Sequence, residues 1–181
     1  LLQFIIQGRG GQGAQKAGEL LAEAFFREGN YIQAYSTYGG ARRGTPVSSF
    51  IKVDDKPIRL RCDIENPDMM LCFDASLLSD AFLSRAGEKT TILINCGFQP
   101  EYFEASKRFK IVTLDAIAVA QRTQMGRIVN TALVGACAAI LKAPNIDVLI
   151  QVLKDKSPAR VEQNVQACLE GYRLVTEGGK N

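Results

Sequence analysis

Histidine is absent from this sequence, which removes the commonest general acid–base and the commonest metal ligand. The five cysteines (Cys62, Cys72, Cys96, Cys137, Cys168) are spaced 10, 24, 41 and 31 residues apart, and none forms a C-x-x-C. Zinc fingers and ferredoxin-type clusters need close thiolate or imidazole pairs, so the chain is expected to hold neither zinc nor iron–sulfur by itself. No apolar stretch approaches the roughly 18 residues of a membrane span. No charge of one sign dominates: 22 basic and 19 acidic residues give +3. With no Lys/Arg run and no aromatic ladder, this is a poor match to a nucleic-acid binder.

What remains is ordinary for a globular chain, with 46% hydrophobic and 23% charged residues over 181 positions. That length suits one domain spanning 1–181. The odd cysteine count, with no secretory segment, fits a reducing and therefore cytoplasmic setting. Most of the cysteines sit in apolar runs such as "MMLCFD" and "ILINC" and read as small buried hydrophobes.

Strand-like and helix-like patterns alternate. Leu2–Gln7 is a short apolar run bounded by glycine, the mark of a buried strand. Ala14, Ala17, Leu20, Leu21, Ala24 and Phe25 follow at helical spacing, stopping near Gly29-Asn30. "YIQAYSTY" is the second strand. "PVSSFIKV" and "PIRLRC", joined by "DDK", are expected to form an antiparallel hairpin. "DMMLCFD", "TTILINC" and "KIVTLDA" are further strands, and helical patterns run from Val129 towards the end. The expected fold is α/β and Rossmann-like: an open, mostly parallel sheet, helices on both faces, and an antiparallel hairpin insertion.

Gly8, Gly10 and Gly13 satisfy G-x-G-x-x-G between strand and helix, with Gly11 and Gln12 inside the motif. Such glycines let backbone N–H groups approach an anion at a helix N-terminus. They also permit close helix–strand packing, and both readings stand. A dinucleotide site would add an acid at the end of the second strand, to hold the ribose. That strand ends in Ser36-Thr37-Tyr38, so NAD is disfavoured. "TYGGARRGTP" is a second backbone-exposing loop, in which Tyr38, Arg42 and Arg43 are candidates for phosphate or carboxylate. The same loop suits a salt-bridged subunit contact. Asp74 and Asp115 read as helix caps rather than bases. Asn130 in an apolar helical run reads as a bond to a neighbouring loop, and Glu162 and Asn164 as a docking contact or a solvated helix face.

Together these stretches resemble the gamma subunit of the 2-oxoacid:ferredoxin oxidoreductases, the pyruvate synthase family. The matching residues are "GRGGQG" with "AGELLAEA", "YGGARRGTPVSSFIKVDDKPI", "DMMLCFD", the Asn130 helix and "VEQNVQACLEGY". They run along the whole chain in the family's order. "RRG" followed by "PV" looks more like the pyruvate and branched-chain type than the 2-oxoglutarate type. One departure is Gly40-Ala41, where relatives often carry alanine or proline followed by glutamate, so this loop lacks a carboxylate.

The resemblance implies a non-catalytic subunit working with alpha, beta and delta-type subunits and passing electrons to ferredoxin. Thiamine diphosphate, Mg and [4Fe-4S] clusters are expected in those partners. Coenzyme A is the co-substrate whose diphosphate would suit Gly8, Gly10, Gly11, Gln12 and Gly13. The competing reading is a free-standing Rossmann-type dehydrogenase.

Overall fold

A computed structural model describes residues 1–39, 44–59 and 62–178. Six strands form one sheet: β1 (Leu2–Arg9), β2 (Tyr31–Tyr38), β3 (Pro46–Asp54), β4 (Met69–Cys72), β5 (Thr91–Asn95) and β6 (Lys110–Leu114). Their order is β2-β3-β1-β4-β5-β6. The pairs β1–β4, β4–β5 and β5–β6 are parallel. The pairs β1–β3 and β2–β3 are antiparallel. The strands β4 and β5 are near-continuous apolar runs, as expected of strands buried on both faces.

The antiparallel hairpin exists, but between β2 and β3 rather than between "PVSSFIKV" and "PIRLRC". Both edges of β3 are taken, one by β1 and the other by β2, so no position is left for a third partner. Residues 57–59 and 62–68 have no strand structure; Leu60 and Arg61 of that expected strand lie outside the described residues. "YIQAYSTY" is a strand, yet it lies at the sheet's edge, two strands from β1.

The longer helices are α1 (Ala14–Arg27), α3 (Ala116–Arg122), α4 (Asn130–Leu141), α5 (Ile146–Lys156) and α6 (Val161–Gly178), while α2 (Asp80–Leu83) is one turn. Helices cover both faces, unequally. The long ones share a core with Phe4, Ile6, Ile51, Met69, Leu71 and Leu93 on one side of the sheet. On the other, Ile5, Phe50, Met70, Ile92 and Ile94 meet α2, short 3-10 turns and loop residues such as Ile64.

The centre of the helical layer is α4, buried all round from Asn130 to Ala138. It lies against α6 at backbone distance. A Cβ on Gly135 would collide with the Cys168 carbonyl, and one on Gly171 would fall 2.1 Å from the Ala132 oxygen. Cys137 and Cys168 are buried in this layer, and burial pushes the Cys168 thiol up to about 12.

Candidate functional site

Strand β1 ends at Arg9 and α1 begins at Ala14, so the glycine motif is the turn between them at the carboxyl edge of the parallel strands. Gly11 (φ 95°) and Gly13 (φ 86°) hold left-handed backbone, which glycine adopts without the Cβ penalty. Gly13 is the N-cap of α1, and no side chain among the described residues caps that end. The N–H groups of Gly11 and Gly13 have no partner among the described residues. Gly10 differs, because its N–H donates to the Thr45 carbonyl at 2.8 Å. Gly8 is buried, and a Cβ there would approach that of Ala14 to 2.9 Å. The motif therefore divides its labour. Gly8 allows packing, Gly10 ties the hairpin down, and Gly11 and Gly13 present free donors.

Arg9 and Asp74 build the floor beside this turn. The Arg9 guanidinium donates to Asp74 Oδ2 at 3.1 Å, Ser76 Oγ at 2.7 Å and the Gly44 carbonyl at 3.3 Å. Gln12 bridges the same group, accepting from the Arg9 N–H at 2.7 Å and donating to Asp74 at 3.4 Å. The Ser76 hydroxyl holds the Asp74 carboxyl below its usual range, helped by the Ser76 N–H and by Arg9, against a partial desolvation. Asp74 also caps the 3-10 turn at Ala75, and Asp115 caps α3 through the Ala118 N–H at 2.8 Å. Both aspartates are thus caps, with Asp74 adding an ion pair.

The two loops read from the sequence do meet. Gly44 N–H donates to the Gly10 carbonyl at 3.3 Å, and Tyr38 donates from its hydroxyl to Gln15 in the first turn of α1 at 2.6 Å. Arg42 and Arg43 lie outside the described residues. Asn130 opens α4 and faces the turn: its amide nitrogen would lie 3.0 Å from a Cβ on Gly13. Asn164 is buried and donates to the Ala159 and Arg160 carbonyls, so it holds the turn before α6, while Glu162 is exposed. Reading the sequence alone missed Arg9, although a guanidinium inside "GRGG" was visible there.

A helix N-terminus with spare donors favours an anion by roughly 0.3–1 kcal/mol when exposed. The same edge does not fit a dinucleotide. The strand that would carry the ribose-binding acid is β2, separated from β1 by the antiparallel β3. That strand ends in Ser36-Thr37-Tyr38 without an acid, and its usual place beside β1 is taken by an antiparallel strand.

Residues 3–174 match the family model described as pyruvate ferredoxin/flavodoxin oxidoreductase. Pyruvate synthase subunit PorC of Methanothermobacter thermautotrophicus is 36% identical, over 97% of this chain and 96% of its own. The common gamma subunit of the pyruvate/ketoisovalerate oxidoreductases of Pyrococcus furiosus is 35% identical, over 95% and 96%. The crystal structure of pyruvate oxidoreductase subunit PORC from Thermotoga maritima superposes with a TM-score of 0.83 at 29% identity, covering 95% of each chain. The fold also recurs, at 18% identity and a TM-score of 0.83, within 2-oxoglutarate:ferredoxin oxidoreductase from Magnetococcus marinus, solved with 2-oxoglutarate, coenzyme A and succinyl-CoA; 97% of this chain matches 31% of that one. The chain belongs to the pyruvate ferredoxin oxidoreductase family, as a gamma-type subunit.

Proposed function

From that membership we propose that the protein serves a thiamine-dependent 2-oxoacid oxidoreductase as a non-catalytic subunit that helps to receive coenzyme A. The single observation carrying this is the turn from Arg9 to Ala14. Among the described residues no side chain caps the 14-residue helix that starts there and nothing pairs with the N–H groups of its two left-handed glycines, and Arg9 stands alongside. A diphosphate is the part of coenzyme A that such a donor set suits. Arg42 and Arg43, which follow Gly39 and Gly40 in sequence, are the cations proposed to complete it.

Thiamine, magnesium and iron–sulfur belong, in this reading, to the alpha, beta and delta-type partners. The described residues hold no group of three His, Cys, Asp or Glu side chains suited to a metal. Contact with those partners is assigned to the β2–β3 hairpin, where Tyr31, Tyr35 and Tyr38 are all exposed along the outer strand. The dehydrogenase alternative has no support from the sheet order.

Hydrogen exchange on the reassembled complex tests both parts. Partner subunits are expected to protect 31–39 and 44–54, and coenzyme A to add protection at 11–17. Exchange at 11–17 that ignores coenzyme A leaves the turn as a packing device. The isolated chain is expected to oxidise no 2-oxoacid; unaided turnover defeats the reading.

A further inference from the structure

Strand β2 forms one edge of the sheet, and the hydrogen bond just past its end shows which of its backbone groups face outward. The Gly39 N–H donates to the Pro46 carbonyl at 2.9 Å. Bonded and non-bonded pairs alternate along an antiparallel ladder, and the register runs Tyr38↔Val47, Thr37↔Ser48, Ser36↔Ser49. Tyr31, Gln33, Tyr35 and Thr37 are therefore bonded to β3. Ile32, Ala34, Ser36 and Tyr38 turn their N–H and C=O groups away from it. The far side of β3 agrees. There the Gly10 N–H reaches the Thr45 carbonyl at 2.8 Å, which by the same alternation aims Val47, Ser49 and Ile51 at β1. Among the described residues nothing bonds the outward groups of β2.

Such an edge is ordinarily guarded by charge, proline or a bulge. This one is not: "YIQAYSTY" carries no charged residue and no proline, and each of its eight residues has one partner on β3. The opposite edge strand, β6, is five residues long and begins with Lys110. Beside β2 the helical face also leaves a groove of about 420 Å³, in which Leu20, Ile32 and Ala34 are joined by a largely exposed Phe26.

We propose that a second copy of this chain pairs with β2, edge to edge and antiparallel. Identical strands related by a two-fold axis can match outward groups in few registers, and the one centred on Tyr35 uses all of the outward residues. Ile32 faces the second copy's Tyr38, and Ala34 faces its Ser36, each pair exchanging N–H and C=O bonds. A strand without charge sets no like charges opposite each other when it meets itself. The second copy's Tyr38, on the same face as Ile32, lies over the groove at Phe26. The two-fold closes the assembly, because both β2 edges are then used. Edge pairing leaves the faces of the hairpin open, so the contact with other subunits proposed above is a separate claim.

Sedimentation equilibrium of the isolated full chain tests the pairing alone, and a monomer–dimer equilibrium is expected. Ala34→Pro removes an outward N–H at an exposed position and spares the ladder to β3. It should keep the parent's circular dichroism and raise the dimer dissociation constant about tenfold or more, since each copy loses a bond. Tyr35→Cys tests the register, because residues facing each other in a non-bonded pair have Cα atoms about 4.5 Å apart, within reach of a disulfide. On oxidation that variant should form a covalent dimer, with peptide mass spectrometry placing the link at residue 35 of both copies. Thr37→Cys should form none at its own position, because its equivalents lie more than about 12 Å apart. The proposal is overturned if the chain stays monomeric at millimolar concentration, if folded Ala34→Pro dimerises unchanged, or if Tyr35→Cys does not cross-link. Should Ala34→Pro fail to fold, the cross-link decides.

Discussion

On one side of the sheet five helices bury a layer so tight that α4 and α6 touch through glycine backbone. On the opposite side the cover is one-turn α2, short 3-10 turns and loop, and polar groups reach inward. Lys52 is 1% exposed there, its ammonium donating to the Cys62 carbonyl. Gln7 and Gln33, on that face by their register with Ser48 and Lys52, bury side-chain oxygens without partners among the described residues. Among the described residues the helical side leaves one buried side-chain oxygen unpaired, the Thr131 hydroxyl. The thin side leaves donors in demand beside an exposed edge strand. A surface finished by another subunit has that character, which is the physical content of the hairpin contact proposed here.

Substitutions on the two sides should therefore behave oppositely. Gly171→Ala forces a methyl group into the Ala132 carbonyl, so the isolated chain should lose about 3 kcal/mol or more in urea unfolding, the upper range for overpacking. A loss below about 1 kcal/mol would show that α4 and α6 are looser than described. Gln33→Met removes an unpaired buried carbonyl from the thin side, and the isolated chain should gain about 1 kcal/mol. Assembly with partner subunits should weaken in that variant. Stabilisation without any effect on assembly would detach the thin side from the interface.

The smallest effect lies at the turn. Asp74 has a depressed folded-state pKa, so its contribution is present above its ordinary value of 3.8 and is lost as pH falls through the lower folded value. Because the pair with Arg9 is partly exposed, the contribution is about 1 kcal/mol or less after solvent screening. Asp74→Asn should flatten that acid limb of the stability profile. An unchanged limb would assign it to other carboxylates.

Local signals carried the sequence reading furthest. Asp74 and Asp115 announce helix starts through bonds spanning two or three residues, and both prove to be caps. The apolar runs of β4 and β5 could be read as buried parallel strands without knowing their neighbours. The hairpin partner was not legible in this way. Alternation in "PIRLRC" mimics a strand, whereas the true pairing depends on β1 occupying the far edge of β3, a contact that links Leu2 to Val53. The uneven helical cover was hidden for the same reason, since face is set by crossover geometry rather than by periodicity. Arg9 was within view, but its partners Asp74 and Ser76 come from 65 and 67 residues away.

The central claim is that the turn at Gly11 and Gly13 meets the diphosphate of coenzyme A, and Gly11→Asp measures it most directly. The substitution puts a carboxylate beside the spare N–H groups and at a position with φ of 95°. Steady-state kinetics of the reassembled complex should show a Michaelis constant for coenzyme A raised several-fold, about 1 kcal/mol of lost binding. Decarboxylation in the absence of coenzyme A should be spared, and circular dichroism should report an intact fold. A folded, assembled Gly11→Asp complex with unchanged dependence on coenzyme A would contradict the claim.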